Sequence, residues 1–302
     1  MSLLFISSLQ EGFGYGLLAL GIYITFRILN TPDLTTDGSF GLGMAVSIVL
    51  TAAGHPVLSL AAALAAGALA GCVTGFLQTK VKIHPILAGI LTMNGLYTVN
   101  LMITGGKSNV SSASAISVFR IFEEKTGLMS EYVKAIVPFM FCAVGIAALA
   151  VFFKTRKGVA IRATGDNEDM VRASSINADA CKLAGLALGN ACVALSGGII
   201  GQSMSFFDVG YGTGMVVVGL ASVIIGETIF GRRGVTAGFI SAVAGSVIYR
   251  IFIALALKVE LFPSYGLKLI SAVIVVIALS LPAVKSWVQL RQTQKRERSK
   301  RC

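Results

Sequence analysis

The chain has 302 residues, of which 55% are hydrophobic and only 13% are charged, and its formal net charge is +11. A soluble domain carries about 25% charged residues, so this composition excludes an ordinary soluble enzyme and indicates a polytopic membrane protein. The basic residues lie in the gaps between apolar runs, where membrane topology explains them better than nucleic-acid binding does. The expected surroundings are therefore a lipid bilayer, and no nucleic acid is expected as a partner.

A helix needs about 20 apolar residues to cross the hydrocarbon core of a bilayer. The sequence predicts an all-α fold, a single transmembrane domain over 1–302 with about nine spans, and eight to ten are defensible. The second span is too short for a full crossing. The spans are predicted at about 11–29, 40–53, 57–79, 85–103, 133–153, 183–204, 214–230, 235–257 and 266–284.

Lys and Arg in the short loops set the orientation, because they are enriched on the cytoplasmic side. With the basic loop 154–182 inside, 18 basic residues fall on the cytoplasmic side and five on the outer side. Because each predicted span crosses to the other side, the same assignment puts the amino terminus outside and the carboxyl terminus inside. The tail 285–302 is then a basic cytoplasmic segment, which reads as a solvated stop to the last span.

The loop 154–182 is the one sizeable polar segment between the apolar runs, and it contains a short helix pattern. Asp166 is expected to cap that helix, with Met170 or Ala173 packing against a soluble partner. Glu168, Asp169 and Arg172 are expected to make polar contacts. Such a helix would let a membrane permease bind a cytosolic ATPase. The residues proposed for this coupling are Gly165, Asp166, Asn167, Glu168, Asp169, Met170, Arg172 and Ala173.

An eight-residue pattern occurs twice, at 37–44 (DGSFGLGM) and at 208–215 (DVGYGTGM). The predicted topology places the two copies in opposite directions, as in an inverted repeat of spans 1–4 and 6–9. Broken helices are common in such repeats, and the aspartates are expected to cap the helices that follow them; ion binding is the less favoured alternative. The residues predicted at the helix breaks are Asp37, Gly41, Gly43, Asp208, Gly212 and Gly214.

Polar residues within the spans are few. They would line a translocation path or, with at least equal weight, form hydrogen bonds between helices. No carboxylate or histidine is expected at mid-span, where a proton- or sodium-coupled carrier usually needs one. The candidates for the path are Thr92, Asn94, Tyr97, Asn100, Asn190 and Gln202.

The sequence shows no catalytic constellation, no metal-ligand spacing among its cysteines and histidines, and no phosphate-binding loop. We therefore expect no catalytic residues, no bound metal and no cofactor. The protein is not expected to be an enzyme, and the energy for transport would come from another subunit.

Three segments resemble the permease subunits of ABC importers for branched-chain amino acids and ribose. They are 29–40, which begins LNTPDL, together with 158–167 (GVAIRATGDN) and 219–227 (GLASVIIGE). The resemblance covers nearly the whole chain. Within that type, the chain is most similar to permeases paired with lipoprotein-like binding proteins, some of which are associated with aromatic amino acids such as tryptophan.

The resemblance implies a homodimer or a pair with a related permease, cytosolic ABC ATPase subunits and an extracytoplasmic solute-binding protein. It also implies a location in the bacterial cytoplasmic (inner) membrane and a fold related to the vitamin B12 importer. In that fold a helix descends and breaks, and a short helix returns, here across the turn at 30–39. The ATPase-docking loop of the family corresponds to about 158–180.

Two other classes of function are alternatives to an ABC importer permease for a small solute such as an amino acid. A stand-alone secondary transporter or channel would need ionisable groups at mid-span. A membrane-embedded enzyme would need a cluster of reactive side chains near an interface. The sequence shows neither feature.

Overall fold

The computed structural model describes residues 2–258 except 128, 232 and 233, together with 272, 273, 276 and 280. Most of the predicted span 266–284 and all of the tail 285–302 lie outside the described residues. The helices are α1 (Ser2–Ile22), which continues as a π-helical segment (Tyr23–Ile28), α2 (Thr35–Ala52), α3 (Pro56–Thr79), α4 (Pro85–Ile103), α5 (Val118–Thr126), α6 (Ser130–Phe152), α7 (Arg156–Asp166), α8 (Glu168–Ala173), α9 (Ala178–Met204), α10 (Met215–Phe230) and α11 (Val235–Lys258).

Helices cover the positions of the first eight predicted spans. Five of those in the described part, α3, α4, α6, α9 and α11, are long and apolar enough to cross a membrane, and α10 is a shorter apolar helix. The structure is thus that of a helical membrane protein with several crossings. The number of nine spans stays a prediction.

Local sequence explains where several of these helices begin. Pro56 and Pro85 stand at the first positions of α3 and α4, where a missing N–H leaves no hydrogen bond unmade. The side chain of Asn177 caps α9 by accepting from the N–H of Ala180 at 3.0 Å. These residues turn continuous apolar sequence into separate helices.

Helix α9 lies at the centre of the bundle and packs along α1, α2 and α3, while α1 also packs along α6 and α11. The first helix of each predicted repeat therefore contacts the third helix of the other, as α1 contacts α11 and α9 contacts α3. One core cluster is built around Leu17 and Leu20, and a second around Phe40 and Met44.

The described chain is not purely helical. Strand β1 (Asn109–Ser111) pairs antiparallel with β2 (Phe206–Asp208), so that Asn109 lies opposite Asp208. Both strands, and the amphipathic helix α5, belong to connections at the end of the bundle opposite α7 and α8. The all-α prediction missed this pair because three-residue strands have too little alternation to show in a sequence.

The first helix break lies between Ile28 and Thr35. It overlaps the predicted turn at 30–39 but ends before Asp37, which was also predicted at a break and lies in the first turn of α2. Gly41 and Gly43 lie inside the continuous helix α2, so their assignment to a break is wrong. Both are buried, and a methyl group at Gly43 would overlap the backbone of Ala194 on α9. Glycine serves close helix packing here, as is common in membrane helices.

A buried polar cluster fills the break. The Asp33 carboxylate accepts from the N–H of Thr35 at 2.9 Å and from Nδ2 of Asn190 at 2.7 Å, while Ser39 donates to Oδ1 of Asn190 at 2.6 Å. All these residues are fully buried. Asn190 is the thirteenth of the 27 residues of α9. Asp33, in the connection between the first two predicted spans, is thus a fully buried carboxylate.

Asn190→Leu is expected to lower the melting temperature by several degrees, because it leaves Asp33 and Ser39 buried without their partner. Each unsatisfied group costs about 1–3 kcal/mol. Thermal unfolding of the purified protein in detergent measures this effect. Asn94→Leu, at an exposed position on α4, is the matched control and should melt with the wild type. Equal melting temperatures for the two variants would contradict the role of Asn190.

Candidate coupling and translocation sites

The polar segment between α6 and α9 folds as two helices rather than one. Asn167 has extended backbone angles and separates α7 from α8, and its Oδ1 accepts from the N–H of Met170 at 3.0 Å. Asp166 is the last residue of α7. The predicted cap is thus off by one residue, because a capping residue must itself leave the helical conformation.

Ion pairs hold α8 against the start of α9. Arg172 donates to Glu168 at 2.8 Å and to Asp179 at 2.6 Å, and Lys182 donates to Glu168 at 2.5 Å. The Lys182 and Arg172 hydrogen bonds lower the pKa of Glu168. Because that pKa is depressed, the stabilisation is present at neutral pH and is lost as the pH falls through the lowered value. Glu168 and Arg172 therefore fix the position of α8.

The remaining face of α8 is open. Met170 is 57% exposed, and Asp169 and Ala173 are exposed beside it, whereas Val171 is only 1% exposed and anchors the helix inward. Met170 is thus an exposed apolar side chain on a helix that two ion pairs, Arg172–Asp179 and Lys182–Glu168, tie to α9.

Helix α7 is docked on the end of the first helix. A methyl group at Gly165 would overlap the carbonyl oxygen of Ile28 and press on the backbone of Leu29. Ile161 and Thr164 are buried on the same side of α7. Gly165 thus acts within the chain: its missing side chain lets α7 touch the helix break directly.

The predicted path residues on α4 divide between two faces. Thr92 and Asn100 are buried towards α2, whereas Asn94 is exposed and Tyr97 is 51% exposed. The hydroxyl of Thr92 donates to the carbonyl of Ala88 at 3.0 Å. The four side chains therefore do not share one face: Thr92 and Asn100 lie on the buried side of α4, and Asn94 and Tyr97 lie on its exposed side.

Asn190 and Gln202 on α9 serve as hydrogen-bonding residues within the bundle. Gln202 is buried, its Nε2 donates to Ser59 at 2.7 Å and to the Pro56 carbonyl at 2.9 Å, and its Oε1 accepts from the N–H of Val118 at 2.9 Å. These contacts match the alternative in which polar residues link helices. Neither side chain faces an open channel.

The second helix break lies before α10. Gly214 has φ of 90° and precedes the helix, while Gly212 packs against the backbone of Asp37. The Asp208 carboxylate accepts from the N–H of Gly210 in its own turn. Asp37 instead accepts from the N–H groups of Gly214 and Val216, both at 2.8 Å. Each aspartate was expected to cap the helix after it, and both expectations are wrong, since Asp37 caps the distant helix α10.

In the part of the chain that the structure describes, His, Cys, Asp and Glu side chains form no group of three or more that could hold a metal ion.

Residues 4–279 match the family model described as the permease component of the branched-chain amino acid transport system. The chain belongs to this permease family. It is 36% identical over 276 residues to the tyrosine transport system permease protein of Clostridioides difficile (strain R20291). The aligned region covers 91% of this chain and 90% of that protein.

Two further relatives have similar coverage. An uncharacterised protein of Rickettsia prowazekii (strain Madrid E), RP368, is 31% identical over 87% of this chain and 92% of its own length. The ribose import permease protein RbsC of Escherichia coli (strain K12) is 27% identical over 90% of this chain and 83% of its own. No solved structure matches the chain.

The resemblance seen in the sequence is thus confirmed. The chain is a permease component of the ABC transporter type and a membrane protein with several crossings. It is not an enzyme, since in this family ATP is hydrolysed by separate ATPase subunits.

Gly165→Ala is expected to separate α7 from the end of α1, because the added methyl group has no room beside Ile28. Overpacking of this kind costs about 1–3 kcal/mol, so the melting temperature should fall and protease should cut the segment 154–182 faster. Gly95→Ala is the matched control, because open space surrounds Gly95 in α4. If both variants behave like the wild type, α7 is not docked as described.

Proposed function

We propose that the chain is the transmembrane subunit of an ABC importer that moves a small solute, an amino acid, across the cytoplasmic membrane. A separate ATPase would bind the α7–α8 segment, and closure of two ATPase subunits would move the two halves of the transporter. The observation that carries this proposal is the open face of α8 around Met170, on a helix held in place by Glu168, Arg172 and Lys182.

The ATPase surface would consist of Asp169, Met170 and Ala173, with Asn167 as the cap that orients α8. A movement of this segment would reach the bundle by a direct contact, since Gly165 touches Ile28 and Leu29 where the first helix breaks. The coupling residues predicted from the sequence thus divide into an outer set that contacts the ATPase and an inner set that holds the segment.

The distribution of Lys and Arg supports a cytoplasmic location for this segment and for the carboxyl terminus. Nine spans, an inverted repeat and a fold related to the vitamin B12 importer belong to the same proposal. The reciprocal packing of α1 on α11 and of α9 on α3 supports the repeat.

A second permease subunit, identical or related, would face α4. An amide in hydrocarbon is costly without a partner, and Asn94 and Tyr97 lie on the exposed side of an otherwise apolar helix. In a translocation path between two subunits, both side chains could form hydrogen bonds with water and with the solute. An extracytoplasmic binding protein would deliver the solute to the opposite end of the bundle from α7 and α8.

The choice of an amino acid rests on the family description and on the relative named as a tyrosine transport permease. The other candidate is a stand-alone secondary transporter, which the buried carboxylate of Asp33 favours. That carboxylate, however, already accepts hydrogen bonds from Thr35 and Asn190, and permeases of this family work with an ATPase.

Met170→Glu and Ala173→Glu are expected to reduce co-purification of the ATPase at least tenfold, since a new charge would replace apolar contact area at the interface. Affinity capture of the tagged permease from cells that express the whole transporter measures the bound ATPase. Met129→Glu is the control, because Met129 is 72% exposed and precedes α6 at the other end of the bundle. ATPase binding and uptake at the wild-type level in both variants would exclude α8 as the docking surface.

A further inference from the structure

Helix α10 is anchored at both of its ends by charged side chains from the first 40 residues of the chain. It has only 16 residues, and it begins inside the bundle beside α2. Its long neighbour is α11, and its contacts with α1 and α2 are much less extensive. The two polar anchors therefore decide how firmly α10 follows the first half of the chain.

The anchor at the amino end is Asp37. Its Oδ2 accepts from the N–H of Gly214 and its Oδ1 from the N–H of Val216, both at 2.8 Å. These amides have no partner within their own helix, because the first N–H groups of a helix are always left over. Asp37 also lies in the first turn of α2. One carboxylate thus serves the positive ends of two helices, where negative charge is stabilising.

The anchor at the carboxyl end is the pair of Arg27 with Glu227. Nε of Arg27 donates to Oε1 at 2.7 Å, and Nη2 donates to the other carboxylate oxygen. The Glu227 side chain is only 8% exposed and the Arg27 side chain 35%. A two-point guanidinium–carboxylate contact fixes orientation as well as distance.

The two anchors lie on opposite sides of the first helix break. Arg27 belongs to the π-helical segment before the break, and Asp37 follows the break in α2. The break itself is where Gly165 of α7 touches Ile28 and Leu29. A cavity of about 280 Å³ separates α7 from the Arg27–Glu227 pair and is lined by Arg162 and Asp166 of α7.

We propose that Arg27, Asp37 and Glu227 are positioning residues that make α10 move as one body with the first helix break. A displacement of α7 would then reach the interior of the bundle through α10, across the boundary between the two halves of the chain. This inference rests on the proposed function for its role in transport, but the anchoring itself is testable without transport.

The first test is hydrogen–deuterium exchange on the purified permease. Asp37→Asn keeps the size of the side chain but removes one acceptor and the charge, so exchange of the amides at 214–218 should become at least fivefold faster. Peptides from the middle of α9 should not change. The control is Asp208→Asn, at the matching position of the other sequence copy, where the carboxylate accepts from Gly210 in its own turn. Unchanged exchange at 214–218 in Asp37→Asn would overturn the proposal.

The second test is a charge exchange in the complete transporter, reconstituted in proteoliposomes with its ATPase and binding protein. Arg27→Glu and Glu227→Arg should each lower ATP-dependent solute uptake at least tenfold, and the double variant should recover at least a third of the wild-type rate. Lys82→Glu is the control, because Lys82 is exposed in the connection between α3 and α4 on the same side of the bundle. Its uptake should stay within twofold of the wild type.

A double variant no better than the single ones would overturn the proposal. So would losses of uptake that only follow the amount of assembled transporter, measured by co-purification. A wild-type transporter without ATP-dependent uptake would refute the proposed function instead, and the exchange measurement would still decide whether Asp37 anchors α10.

Discussion

Helices that begin inside an apolar bundle must find acceptors for their first amide groups, because neither lipid nor a packed core supplies them. This constraint shapes the centre of the protein. Helix α2 begins at Thr35 and α10 at Met215, and Asp33 and Asp37 provide the acceptors. A buried acceptor in turn needs donors, which Asn190 on the central helix supplies to Asp33. The two breaks are thus tied to α9 and to one another.

Polar contacts of this kind matter more in a membrane than in water, since lipid chains are as apolar as the helix surfaces. The longest helix, α9, carries two of them, with Asn190 holding the break and Gln202 holding the start of α3 and the connection to α5. Close backbone packing at glycine adds to these contacts. The result is a bundle in which α9 is the central helix and connects its neighbours by polar contacts and close backbone packing.

Much of the fold could be predicted from the sequence. Apolar length predicted the positions of the first eight helical spans, the polar loop indicated the short helix α8, and the segments 29–40, 158–167 and 219–227 pointed to the correct family. These features are local, so a linear reading captures them. The cap of α8 was misplaced by one residue, from Asn167 to Asp166, because the two neighbours are equally suited to capping by type.

The contacts made between distant parts of the chain could not be predicted. Asp33 follows a proline and reads as a loop residue, yet the fold buries it against a helix more than 150 residues away. Asp37 and Asp208 occupy equivalent places in a sequence pattern, but only one meets a helix end. The separation of Asn94 and Tyr97 from Thr92 and Asn100 depends on which side of α4 meets α2. Spacing along a helix shows which residues share a side of the helix, but it does not show which side is buried.

The central claim is that this permease has no energy source of its own and moves solute only when a separate ATPase drives it. The most direct measurement compares amino-acid uptake by proteoliposomes that contain the permease alone with uptake when its ATPase, its binding protein and ATP are also present. The account predicts no concentrative uptake by the permease alone and ATP-dependent accumulation by the complete transporter. Accumulation by the permease alone, driven by a proton or sodium gradient, would contradict it.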